Sequence, residues 1–152
     1  MKIRSCFVSN SSSSSFIVVG NSLKKDSISM KPWKHGDLEF GYGEWYSPDS
    51  KLNFLMLQRG YTDSFTMTDV LKDFCEKYNI DYDEYEKYIE HCMNDNWDDD
   101  LKDVDGYHYP NAYIDHQSVV YEDDEIYSIF DSLENLERFV LDSNSALIMR
   151  RD

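Results

Sequence analysis

Three groupings along this 152-residue chain place serine, histidine or carboxylate side chains at spacings that could do chemistry. The first is residues 94–105 (NDNWDDDLKDVD). Counted from Asn94, the oxygen donors of a calcium loop would fall on Asn94, Asn96, Asp98 and Asp105, a set suited to Ca²⁺ or Mg²⁺. The sixth position is Asp99, where the sharp turn of such a loop requires glycine. The expectation is therefore an Asp-rich loop with at most loose cation binding, and no other cofactor. The second grouping is Asp115, His116 and Ser118, with His108 able to approach across a hairpin at Pro110-Asn111. Neighbours in a strand point to opposite faces, so Asp115 cannot join His116 and Ser118 in a local triad, and His116 reads as structural. The third is residues 7–20 (FVSNSSSSSFIVVG), in which five consecutive serines separate two apolar segments. A phosphate cradle at Ser11, Ser12 and Ser13 would gather hydroxyls and backbone N–H groups on an anion. Known cradles add glycine and lysine, both absent from the run. A polar loop whose hydroxyls satisfy nearby backbone groups is the simpler reading.

Charge narrows the classes of partner. The chain carries 30 acidic and 15 basic residues, a net of −15. Residues 1–36 hold six basic side chains against Asp26 alone, whereas residues 81–137 hold 19 acids against Lys87 and Lys102. Such a surface repels nucleic-acid phosphates and anionic lipid, and attracts basic proteins or cations. Tyrosines lie among these acids, and tyrosine is a favoured interface anchor. The expected contact residues are Asp83, Glu86, Glu90, Asp98, Asp99, Asp100, Asp103, Tyr107 and Tyr109. The expected partner is a basic protein, for instance a nucleic-acid-binding protein deceived by charge mimicry, with no direct nucleic acid and no membrane. An enzyme acting on a nucleotide or phosphoester through the serine loop and His116 is the alternative. A virion or assembly component is a third reading.

These residues need a scaffold. Hydrophobic residues make up 41% and aromatics 15%, which is enough to build a core and too much for wholesale disorder. Cys6, Cys75 and Cys92 are odd in number and form no C-x-x-C pair, and no signal-peptide pattern precedes them. A reducing, cytoplasmic setting is expected. Strands are expected near residues 3–8 and 16–19, with a basic connection over 22–37 that docks Trp33 on the core. A strand-like segment over 38–46 is weakened by Gly41 and Gly43. Ser47-Pro48 opens a helix that is apolar nearly all round, with Gly60 as its stop; a buried strand over 52–57 is the rival. Thr66 or Thr68 opens a second helix to about Tyr78. Asp81 with Glu84 opens a third, expected to be only half-buried because tyrosines replace leucines on its stripe. A long acidic loop spans 94–110, and a strand spans 113–121. Ser132 caps a last helix that breaks at Ser143-Asn144-Ser145, before a closing strand over 146–149. The expectation is α+β: one compact domain over 1–152, with a small mixed or antiparallel sheet packed against about four helices.

The phrase MKIRSCFVSNSSSSSFIVVG resembles the N-terminal signature of a group of bacterial and phage proteins with no established activity. The segments IDHQS (114–118) and FVLDSNSALIM (139–149) resemble the same group. Where Cys6 stands, the group more often carries glycine. The resemblance implies a phage or mobile-element setting and no mechanism.

Overall fold

A computed structural model describes residues 2–4, 13–22, 24–62, 64–93, 110–114 and 125–151. The elements are β1 (Lys2–Arg4), β2 (Ser13–Val18), α1 (Pro32–His35), β3 (Glu39–Phe40), β4 (Gly43–Trp45) and α2 (Pro48–Thr62). They continue with α3 (Phe65–Lys77), α4 (Tyr82–Met93), β5 (Tyr113–Ile114), a 3₁₀ turn (Glu125–Asp131), α5 (Leu133–Leu141) and β6 (Ala146–Arg151). The class is α+β.

α2 is the axis of the molecule. Ser47 caps it, its Oγ accepting from Ser50 N at 3.2 Å, and Pro48 supplies a fixed φ at the first helical position. Every residue from Lys51 to Gln58 is buried, so packing surrounds it on all sides. The caps thus decide in favour of the helix over the rival strand. Gly60 does not stop it; the helix runs on to Thr62. A Cβ on Gly60 would come within 2.7 Å of Met93 Sδ, so the missing side chain serves a close approach to α4 instead.

Helices α3 and α4 form a hairpin. The cap of α3 is Ser64 rather than Thr66 or Thr68: its Oγ accepts from Met67 N at 3.4 Å and its carbonyl from Thr68 N. Asn79, in the left-handed region at φ 57°, turns the chain, and Asp81 Oδ1 then caps Glu84 N at 3.0 Å. Tyr82, Tyr85, Ile89 and Cys92 of α4 are all buried, more deeply than expected. Tyr85 can sit in the core because its hydroxyl reaches Asn53 Oδ1 and its ring lies 4.5 Å from that of Trp33. Trp33 itself is 3% exposed and sits in the short α1, as the docked position required.

The main sheet has the order β1-β2-β6-β4 and is antiparallel throughout. Ile17, Leu147 and Trp45 stand in register across its strands, and Ile17 and Leu147 belong to the core. A parallel pair, β3 with β5, forms a second, two-stranded sheet, separated from β4 at Gly41-Tyr42. The expected polar loop does not include the last three serines of the run. Ser13, Ser14 and Ser15 belong to β2, paired with Arg151, Arg150 and Met149. α5 starts at Ser132, whose Oγ accepts from Asn135 N at 3.1 Å, and the 142–145 turn returns the chain into β6. No helix among the described residues is long and apolar enough to cross a membrane.

Candidate binding surface

Helix α3 turns its apolar stripe, Met67, Leu71, Phe74 and Cys75, into the core. At 100° per residue, Phe65, Asp69, Asp73 and Glu76 fall within an arc of about 80° on the opposite side. All four are exposed, and Phe65 is 89% exposed, the most open of the large apolar side chains described. The two lysines of α3 occupy the margins of this arc and turn away from it. Lys72 Nζ lies 5.4 Å from the ring centre of Tyr82 on α4, and Lys77 pairs with Glu137 on α5. Among the described residues, Asp69, Asp73 and Glu76 form no ion pair. The outward face is a row of three uncompensated carboxylates with an aromatic ring at its N-terminal end.

The acids expected on α4 have a different arrangement. Asp83 is exposed. Glu86 and Glu90 both meet Arg59 of α2, at 2.8 and 3.7 Å. Arg59 also donates to Thr68 Oγ1 at 3.3 Å, so it ties three helices together. Glu84 pairs with Lys31 at 3.0 Å. The basic N-terminal part and Arg59 therefore neutralise much of α4 from within. The sequence reading missed the α3 row because it counted charge by chain segment, and residues 65–77 are nearly balanced in number. Their spacing, D-x-x-x-D-x-x-E on the polar side of an amphipathic helix, carried the signal. Asp98, Asp99, Asp100, Asp103, Tyr107 and Tyr109 lie outside the described residues. So do Asn94, Asn96, Asp105, Ser11, Ser12, His108, His116 and Ser118. Ser13 lies in a strand ladder, not in a loop that could wrap an anion.

A second cluster joins the two ends of the chain. Asp142, at the end of α5, is 3% exposed; its Oδ1 accepts from Ser22 Oγ at 2.7 Å and Asn144 N at 2.9 Å. Its Oδ2 has no hydrogen-bond partner among the described residues, and the carboxylate packs against Gly20, where a Cβ would approach within 2.6 Å. Ser145 Oγ accepts from Gly20 N at 2.8 Å and donates to Arg138 O at 2.6 Å. Beneath them the fully buried Lys51 donates to Asp142 O at 3.1 Å and Ser145 O at 2.9 Å. Burial pulls the Lys51 ammonium down to about 8, against the opposing charges of Asp26 and Asp142. A cleft of about 130 Å³ beside this cluster is lined by Ser22, Lys25, Glu134, Glu137, Arg138 and Asp142. Its charges are spent on one another: Arg138 pairs with Glu134, and Glu137 takes Lys77, Lys25 and the Tyr78 hydroxyl. Burial pushes Glu137 up, but the hydrogen bonds from Lys77 and Tyr78 outweigh it and hold its carboxyl below the usual value. The cluster is a clasp between residues 20–26 and the α5–β6 turn, built to hold the fold.

Among the described residues the two thiols are poor nucleophiles. Cys75 and Cys92 are buried and free, and burial pushes both up to about 12. Among the described residues no group of three His, Cys, Asp or Glu side chains converges on a metal position. No protein-family model, curated protein or solved structure matches the chain.

Proposed function

We propose that this chain works by binding, and that it engages a basic protein surface through the outward face of α3. The observation that carries this reading is the row Phe65, Asp69, Asp73, Glu76: exposed, uncompensated, and flanked by lysines turned toward other helices. Like charges at i,i+4, as in Asp69 and Asp73, oppose helix formation by a few tenths of a kcal/mol. A face that keeps such charges unpaired has them available for a partner. Lysine and arginine of a partner would supply the missing counter-charge, and the association would be fast and salt-sensitive.

In the phage or mobile-element setting that the resemblance implies, a nucleic-acid-binding protein of the host is a partner with the required basic surface. Helical rise places the three α3 carboxylates about 4.5–6 Å apart, against about 3.4 Å between phosphates of one DNA strand. α3 alone therefore presents roughly two-thirds of a strand's charge density. Attraction to a basic surface is favoured over close imitation of a duplex.

The test is affinity capture from a bacterial lysate with the tagged chain and with Asp69→Asn/Asp73→Asn/Glu76→Gln, washed at 50 and 500 mM salt. A stoichiometric basic protein, held at low salt by the parent chain and lost by the triple variant, is the expected result. Equal capture by both chains would remove α3 from the interface.

A further inference from the structure

We infer that Phe65 is the specificity anchor of this surface, and that its occupant is a basic amphipathic segment with an apolar side chain opposite the ring. This rests on the reading of α3 as a contact face and adds a residue role and a partner chemistry to it. Phe65 stands at the first position of α3, immediately after the capping Ser64. The cap fixes the backbone there, so the ring's outward direction follows from the helix and not from a loose terminus. At 89% exposure it takes no part in the core cluster. The pattern on one arc is apolar, acid, acid, acid at steps of four, four and three, over about 16 Å of helix.

A purely cationic partner would neutralise the three acids and leave the ring in water. Nucleic acid and anionic lipid would be repelled by the same acids. The surface that satisfies all four positions is a segment with lysine or arginine at helical spacing and one leucine-like or aromatic residue at the Phe65 end. Removing an exposed aromatic ring from water strengthens binding by on the order of tenfold or more. The carboxylates would set attraction and register, and Phe65 would separate one basic partner from another.

The experiment uses the full chain and two labelled probe peptides followed by fluorescence anisotropy. One is a 14-residue lysine–leucine peptide with helical spacing; the other is an oligolysine of equal charge. The parent chain should prefer the lysine–leucine peptide by about tenfold at 100 mM salt. Phe65→Ser should bind both peptides equally, with the salt dependence retained, and Phe65→Leu should restore the preference. Asp69→Asn/Asp73→Asn should weaken both peptides. A preference that survives in Phe65→Ser overturns the anchor and leaves the acidic face standing. Affinities unchanged in Asp69→Asn/Asp73→Asn overturn the acidic face, and the anchor with it. The ring is outside the core, so an unchanged melting temperature in Phe65→Ser separates lost recognition from lost folding.

Discussion

Lys51 is the residue where charge and burial compete most openly. It lies inside the central helix and spends its ammonium on two carbonyls of the 142–145 turn. Its pKa falls from 10.5 in the unfolded chain to about 8 in the fold. Below pH 8 both states hold the proton, and the fold carries the full cost of a desolvated charge. Between pH 8 and 10.5 the unfolded state holds more protons, so this residue's contribution to stability improves as pH rises. Cys75 and Cys92 act in the opposite sense. Burial raises them from 9 to about 12, so their contribution is lost as pH rises above 9. Comparing the chain with Lys51→Met cancels the thiols. The difference in unfolding free energy should move in favour of the parent by up to about 3 kcal/mol between pH 8 and 10.5. Parallel curves from denaturant titrations across that range would contradict the assignment. Gly20 offers a second test, because a Cβ there would meet the Asp142 carboxylate, which is held in place by Ser22 and Asn144. Gly20→Ala should cost about 1–3 kcal/mol, measured by urea unfolding.

Individual elements show why some of the structure could be read from the chain and some could not. Caps were legible: Ser47, Asp81 and Ser132 open the helices expected of them. A side-chain oxygen three residues ahead of a backbone N–H is a local arrangement, and local arrangements are written locally. Gly60 was misread because the same residue type serves as a helix stop and as a point of close approach, and only the position of α4 separates the two. The depth of α4 was misread for a related reason: the hydroxyl of Tyr85 finds its partner on α2, far away in sequence. The site followed the same rule. The acids of α4 stood out by number, yet Arg59, on another helix, takes up two of them. Gly60→Ala provides the check at this scale. The atoms a Cβ would meet, Met93 Sδ and Cε, are the flexible end of that side chain, so the helices need shift only slightly, and a loss of about 1 kcal/mol is expected. Met93→Ala combined with it should recover part of that loss; strict additivity would mean the two residues do not meet.

Across the whole molecule two of the three stretches on which the resemblance rests, residues 1–20 and 139–149, are neighbours through their described residues. β2 continues the serine run and pairs with β6, and Gly20 at the end of one stretch touches Asp142 and Ser145 in the other. Their described residues build the clasp that closes the sheet onto α2 and α5. The fold keeps its basic residues busy with this internal work. Lys51 is buried, Lys77 and Lys25 meet Glu137, Arg59 holds α4, and Arg150 pairs with Glu44 across the sheet. What remains outward is an excess of negative charge, in keeping with the net of −15. Self-repulsion on that scale weakens the compact state and is screened by salt, with a Debye length falling from about 30 Å at 0.01 M to about 8 Å at 0.15 M. The melting temperature at pH 7 should therefore rise over that range of sodium chloride, while binding to a basic partner weakens over the same range. Asp69→Asn/Asp73→Asn should raise the melting temperature at 0.01 M salt and reduce its salt dependence. A melting temperature that falls with added salt would mean that attractive pairs, not the outward acids, dominate the electrostatics. The opposite signs of the two expected salt effects, on stability and on binding, follow from one cause: the charges that strain the free protein are those the proposed basic partner would neutralise.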